Sequence, residues 1–221
     1  MELTTVQMIA MSVLPLLFAI TVHEVAHGYV AYLLGDKTAY ILGRLTLNPV
    51  KHIDIFGTVV VPLTLLLLNT GVVLGWAKPV PVDTRNLRNP RRDSALISIA
   101  GPLSNFIMAI IWAGIAKGAS ILLISNFPGA FAVYMMGMAG ISINVMLMVL
   151  NLLPIPPLDG GHVIASLLPR AIALRYERIA PWGFLILLIL LSLGVIDVVM
   201  RPAVGLLSSL ISAVFGLSPQ L

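Results

Sequence analysis

His23, Glu24 and His27 spell H-E-x-x-H inside a long apolar run, Thr21-Val22-His23-Glu24-Val25-Ala26-His27-Gly28. On an α-helix, residues four apart stand one above the other, so both imidazoles can offer a nitrogen to one metal ion. Glu24, one position round from His23, is placed to hold and deprotonate a water on that metal. Two helix histidines can also be a packed or hydrogen-bonded pair inside a bundle. The setting argues against that. Ionisable groups at membrane depth are costly to bury and mark functional centres by default.

A catalytic zinc takes three protein ligands and keeps one position open for water. The chain has no cysteine, so the third ligand must be an imidazole or a carboxylate. Of nine Asp and Glu, Asp159 is, after Glu24, the one embedded in apolar sequence. Asp-Gly also favours a plain turn. Beside an incomplete two-histidine site, ligation by Asp159 is the stronger reading. Asn151 carries an amide that could hold an oxyanion or bond between helices, and spacing alone leaves both open. His162 reads as a helix-start residue rather than a ligand.

The elements that must position these groups are membrane helices. Of 221 residues, 59% are hydrophobic and 10% charged, where soluble domains sit near a quarter charged. The apolar runs suit helices of about 20 residues, and nothing alternates as a barrel strand would. The fold expected is an all-α polytopic membrane protein with four to six transmembrane helices and a small β-like re-entrant or interfacial element. Residues 1–221 read as a single membrane-embedded domain, with a core over about 5–168 and C-terminal helices over 176–217. Glu2 precedes the first apolar run with no basic segment, so no cleaved signal peptide is expected.

Thr4 or Thr5 can cap a first helix that ends near Leu34, with Gly35 as its stop and Pro15 as a kink. The β-favouring stretch 39–47 suggests a short hairpin or loop at the interface. Residues 55–75 are long enough to span but carry Pro62 and Asn69-Thr70-Gly71. Basic residues flank them on both sides, so re-entry is expected rather than a crossing. Pro79 and Pro81 forbid helix and suit an extended edge segment. Further helices are expected over 94–124, 131–152 and 179–195, with Gly114 and Gly118 as a Gly-x-x-x-Gly contact in the first of them. The tail, 202–217, is either a half-span or an interfacial segment.

With the N-terminus outside, eleven of the thirteen Lys and Arg share the cytoplasmic side, all but Lys117 and Arg201. This charge pattern accounts for the net +4 without nucleic acid. It brings His23, His27 and Asp159 to the cytoplasmic face of what is expected to be a cell-membrane protein.

The chain resembles the site-2 protease family of intramembrane zinc metalloproteases. The likeness rests on H-E-x-x-H at 23–27, Gly101-Pro102 with Asn105, and N-x-x-P-x-x-P-x-D-G at Asn151, Pro154, Pro157, Asp159 and Gly160. It implies one Zn2+ per chain on His23, His27 and Asp159, Glu24 as general base, and Asn151 in transition-state stabilisation. It also implies a strand-like segment that holds the substrate extended, and single-span membrane proteins as substrates. The resemblance is to a minimal form, because no PDZ-like insertion or nucleotide-binding regulatory segment is visible. The rival classes are a metal transporter and an inactive scaffold. A transporter should show internal repeats and polar residues along a path, and neither is found. A scaffold has no need of Glu24.

Overall fold

The computed structural model describes residues 4–68 and 75–217. Helix α1 (Thr5–Leu33) opens with a reciprocal cap. The Thr4 side chain accepts from the Gln7 amide at 3.3 Å, and Gln7 Oε1 accepts from the Thr4 amide at 2.9 Å. The helix runs through the buried Pro15 and stops at Gly35, whose φ of 117° suits glycine. Helix α4 (Pro90–Ile124) starts earlier than the 94 expected, because Pro90 takes a first-turn position where a missing amide hydrogen costs nothing. Helix α5 (Ala130–Asn151) follows a turn made by Gly129 at φ 82°.

Packing is led by α4 against α5, with α1 across both. Along α4 the closest packing is made by small residues. Ala109, Ala113 and Ala116 of α4 are fully buried, while Ile111 and Ile121 of the same helix are 48% and 56% exposed. Lipid is as apolar as Ile, so burying large side chains gains little in a bilayer, and close backbone approach through small residues holds helices together. The glycines that permit this are on α5. A Cβ at Gly137 would meet Ala116 Cβ at 2.7 Å, and one at Gly140 would strike the Trp112 ring. Gly114 and Gly118 play no such part: a Cβ at Gly118 would meet nothing, and one at Gly114 only Phe215 at 3.8 Å.

Among the described residues, four helices are long and apolar enough to cross a membrane: Val6–Leu33, Pro90–Ile124, Ala130–Asn151 and Val195–Val214. This is an integral multi-pass membrane protein. The fourth is not the helix expected over 179–195. That run forms α8 (Ala180–Ser192), whose 13 residues rise only about 20 Å. Gly194, at φ 70°, ends it and begins α9 (Val195–Val214), which carries Pro202 in its interior.

Three shorter pieces frame the site. No strand forms among the described residues. The stretch 39–47, expected as a hairpin or loop, is loop over 42–47, and its first residues belong to a short helix α2 (Thr38–Ile41) that begins where Asp36 accepts from the Thr38 amide. Helix α3 (Val61–Leu67) follows a wide turn over Ile55–Val60. The chain then returns to its departure point, with Trp76 donating from its amide to Gly57 O at 3.0 Å and Thr58 Oγ1 to Trp76 O at 2.9 Å. The two ends of 57–76 therefore meet, as a re-entrant element requires; residues 69–74, the expected Asn-Thr-Gly break among them, lie outside the described residues. Beyond Asn151, a proline-rich loop leads to α6 (Asp159–Leu167) and α7 (Arg170–Glu177).

Candidate metal centre

His23 and His27 leave the same face of α1 with rings 4.6 Å apart and nearly perpendicular. Their Nε2 atoms lie 3.1 Å from each other. Asp159, at the first position of α6, straddles them. Its Oδ2 is 3.2 Å from His23 Nε2 and its Oδ1 is 3.3 Å from His27 Nε2.

The outer nitrogens show what the inner ones are. His27 Nδ1 is 2.7 Å from the carbonyl oxygen of Ile97, which can only accept, so Nδ1 carries the proton. His23 Nδ1 is 2.7 Å from Asn105 Oδ1 in the same sense. In the neutral rings both Nε2 atoms then hold bare lone pairs, and they face one another and a carboxylate. The buried Asp159 Oδ2 has no hydrogen-bond donor among the described residues. Two lone pairs and an anion converging on one point repel unless a cation sits between them. One proton would satisfy one contact; a divalent ion satisfies all three.

The spacing fits such an ion. Tetrahedral zinc, with bonds of about 2.0–2.1 Å, sets its donors about 3.3 Å apart. Two imidazoles and one carboxylate are also a donor set that catalytic zinc uses, leaving a fourth position for water. Among the described residues this is the one group of three that could hold a metal. His52 is buried on Thr46 O at 2.9 Å, and His162 is exposed.

Several local features hold the three candidate ligands in place. Gly101 of α4 packs against the Nε2 and Cε1 edges of the rings, where a Cβ would stand 2.6 Å from His23 Cε1 and strike His27 Nε2 as well. Asp159 is set by the loop before it, which includes a cis bond between Pro156 and Pro157. Gly160 and Gly161 let this loop fold onto the start of α6: a Cβ at Gly161 would lie 2.6 Å from Pro156 N. Arg91 of α4 closes the other end of α6 by donating to Ser166 O at 3.1 Å and to Leu168 O.

Glu24 is anchored from a third direction. Its Oε2 accepts from the Val80 amide at 2.8 Å. Residues 75–83 form neither helix nor strand, and alternate amides are spent inward: Trp76 on Gly57 O, Lys78 on His52 O at 2.9 Å, Val80 on Glu24. Pro79 and Pro81 have no amide hydrogen to offer. Gly28, next to His27, lets this segment touch α1, since a Cβ there would sit 2.7 Å from Val80 Cγ1. Asp36 ties down the far end. Fully buried, it accepts from the Asp83 amide at 2.7 Å, from Asn86 Nδ2 at 2.9 Å and from Thr38. Burial pushes its carboxyl up, but these bonds outweigh burial and hold it below the usual carboxylate range.

The structure thus brings His23, His27 and Asp159 together, with Glu24 beside them in sequence and fixed by Val80. Asn151 ends α5, ahead of the loop that leads to Asp159. Its Nδ2 donates to Leu147 O at 2.9 Å, one turn back on its own helix. Sequence reasoning gave no role to Asn144, Asp36 or the Val80 amide. Asn144 offered a signal, a polar amide at membrane depth in an apolar helix. Asp36 sat among basic loops and offered none.

Fold and site together define a multi-pass membrane protein with a buried two-histidine, one-carboxylate centre beside a glutamate. The family model described as Peptidase family M50 matches residues 11–135 and 120–192. The chain belongs to Peptidase family M50, the site-2 proteases. It is 40% identical over 185 residues to the Bacillus subtilis (strain 168) protein named "Putative zinc metalloprotease YwhC", covering 80% of this chain and 78% of that one. It is 31% identical over 179 residues to "Putative zinc metalloprotease Rip2" of Mycolicibacterium smegmatis, covering 79% of this chain and 64% of the other. No solved structure matches the chain.

Proposed function

We propose that this protein is an intramembrane zinc endopeptidase that cuts single-span membrane proteins in or near their transmembrane segments. The observation that carries the reading is the convergence of two imidazole lone pairs and a carboxylate whose buried Oδ2 has no donor among the described residues, next in sequence to an anchored glutamate. Family membership and the names of the relatives support zinc as the ion. The charge distribution supports a site opening towards the cytoplasmic face of the cell membrane.

His23, His27 and Asp159 would hold the ion, which supplies a Lewis acid that makes water nucleophilic near neutral pH and polarises the scissile carbonyl. Glu24 acts as the base. Its Oε2 is committed to Val80, so Oε1 takes the proton and passes it to the leaving amine. Asn151 supplies the oxyanion donor after its amide leaves Leu147 O. Residues 75–82 guide the substrate, which must be unwound because a helical peptide bond is shielded by its own turn.

The test is Glu24→Gln on a panel of single-span membrane proteins. The amide keeps the shape and can still accept from Val80, but it cannot take a proton. Cleavage should fall by about 10²–10⁴ with zinc content unchanged. A variant that still cuts at the native rate removes Glu24 as the base. Loss of zinc in it makes Glu24 a ligand or a structural group.

A further inference from the structure

His23 is held at its outer nitrogen by a chain of amides that crosses three helices. Nδ1 lies 2.7 Å from Asn105 Oδ1 on α4. Asn105 Nδ2 donates to Ala19 O of α1 at 3.1 Å and to Asn144 Oδ1 of α5 at 3.0 Å. Asn144 Nδ2 donates to Gly140 O at 2.9 Å. Both asparagines are fully buried.

The direction of this chain is forced. The Gly140 carbonyl can only accept, so Asn144 turns its NH2 there and its oxygen to Asn105. Asn105 then faces two acceptors, Ala19 O and Asn144 Oδ1, so its NH2 points at them and its own oxygen at His23. An oxygen cannot hydrogen-bond to a nitrogen lone pair. His23 must therefore carry its proton on Nδ1 and leave Nε2 bare. Turning the Asn105 amide by half a rotation would reverse this. Its NH2 would face Nδ1, the ring proton would move to Nε2, and the atom turned towards His27 and Asp159 could no longer ligate.

We propose that Asn105 and Asn144 are positioning residues that set the tautomer of His23, with Asn144 acting two hydrogen bonds away from the ring. The inference rests on the metal reading above. Its bland counterpart is that Asn144 only fastens α5 to α4, as polar side chains do in membrane bundles. A fastener would alter stability and leave ligand affinity and the tautomer alone.

The whole protein, in detergent, provides two readouts. Zinc affinity is measured by chelator competition. In metal-free protein labelled with 15N in its imidazoles, the nitrogen shifts report the tautomer, with His23 assigned by its loss in His23→Gln. Native His23 should be protonated on Nδ1. Asn144→Leu should weaken zinc binding roughly tenfold, the lower end of what removal of an outer partner costs, and give mixed tautomers. Asn144→Asp should bind zinc like the native protein, because a neutral acid in this apolar setting offers its O–H to Gly140 and its carbonyl to Asn105. Native affinity in folded Asn144→Leu, or a proton on Nε2 in native protein, overturns the proposal. If Asn144→Leu does not fold, a tenfold loss in folded Asn144→Asp overturns it equally. Neither readout needs a substrate, so a protein that binds zinc in this way but cuts nothing refutes only the proteolytic reading.

Discussion

Gly101→Ala adds one methyl group against the two imidazoles of the metal centre, and the size of its effect follows from the geometry. The new Cβ would stand 2.6 Å from His23 Cε1, about 0.8 Å short of the 3.4 Å at which ordinary contact begins. It would strike His27 Nε2 more closely still. Both rings are confined at their outer nitrogens, His23 by Asn105 and His27 by Ile97 O, so neither can retreat without breaking a 2.7 Å bond. Metal–ligand distances tolerate about ±0.2 Å, several times less than the displacement required. Overpacking a tight site costs about 1–3 kcal/mol, which a bundle of this size can survive. The expected result is a folded protein that loses most of its zinc, measured as metal content after purification and as melting temperature with and without added zinc. The native protein should gain several degrees from zinc and Gly101→Ala almost none. Stoichiometric zinc at native affinity in Gly101→Ala would refute the packing argument and with it the placement of the rings.

Val80→Pro removes the one amide that holds Glu24, whereas Val80→Ala keeps it. Cleavage should fall roughly 10–100-fold in the first, the worth of a hydrogen bond to a charged group, and stay near native in the second, with zinc content unchanged in both. The lowered carboxyl of Asp36 adds stability above the ordinary carboxylate value of 3.8, and that stability is lost as pH falls through its depressed value. Comparing melting of the native protein and Asp36→Asn from pH 6 to pH 2 should show their difference shrinking towards the acid end; a constant gap would mean that Asp36 acts through shape alone. Single cysteines near Lys51 and Arg88 should label from the same side of sealed vesicles, which is clean because the chain has no native cysteine. Labelling from opposite sides would make 55–75 a true span.

Much of the site was legible because its chemistry is written in local spacing. H-E-x-x-H needs only a helix to bring His23 and His27 together, and an aspartate amid apolar sequence is conspicuous. What failed was whatever depends on how elements meet. The fourth span was misread because hydropathy alone does not reveal that Gly194 breaks the run and that α9 continues through Pro202. Gly114 and Gly118 matched a contact pattern, yet the rotation of α4 turns Ala109, Ala113 and Ala116 inward instead. The stretch 39–47 has strand-like residues, but the turn set by Asp36 starts a helix there. The link from Asn144 through Asn105 to His23 joins three helices, and nothing along any one of them announces it.

The candidate ligands of the centre are far apart in the order of synthesis. His27 leaves the ribosome on the order of 130 residues before Asp159, an interval of about 6–26 s at 5–20 residues per second. Throughout that time the first helix carries its histidines and its glutamate without the carboxylate that completes the set. A chain interrupted before α6 therefore lacks Asp159. The three candidate ligands are all present only once α6 has been made, with α7, α8 and α9 still to follow.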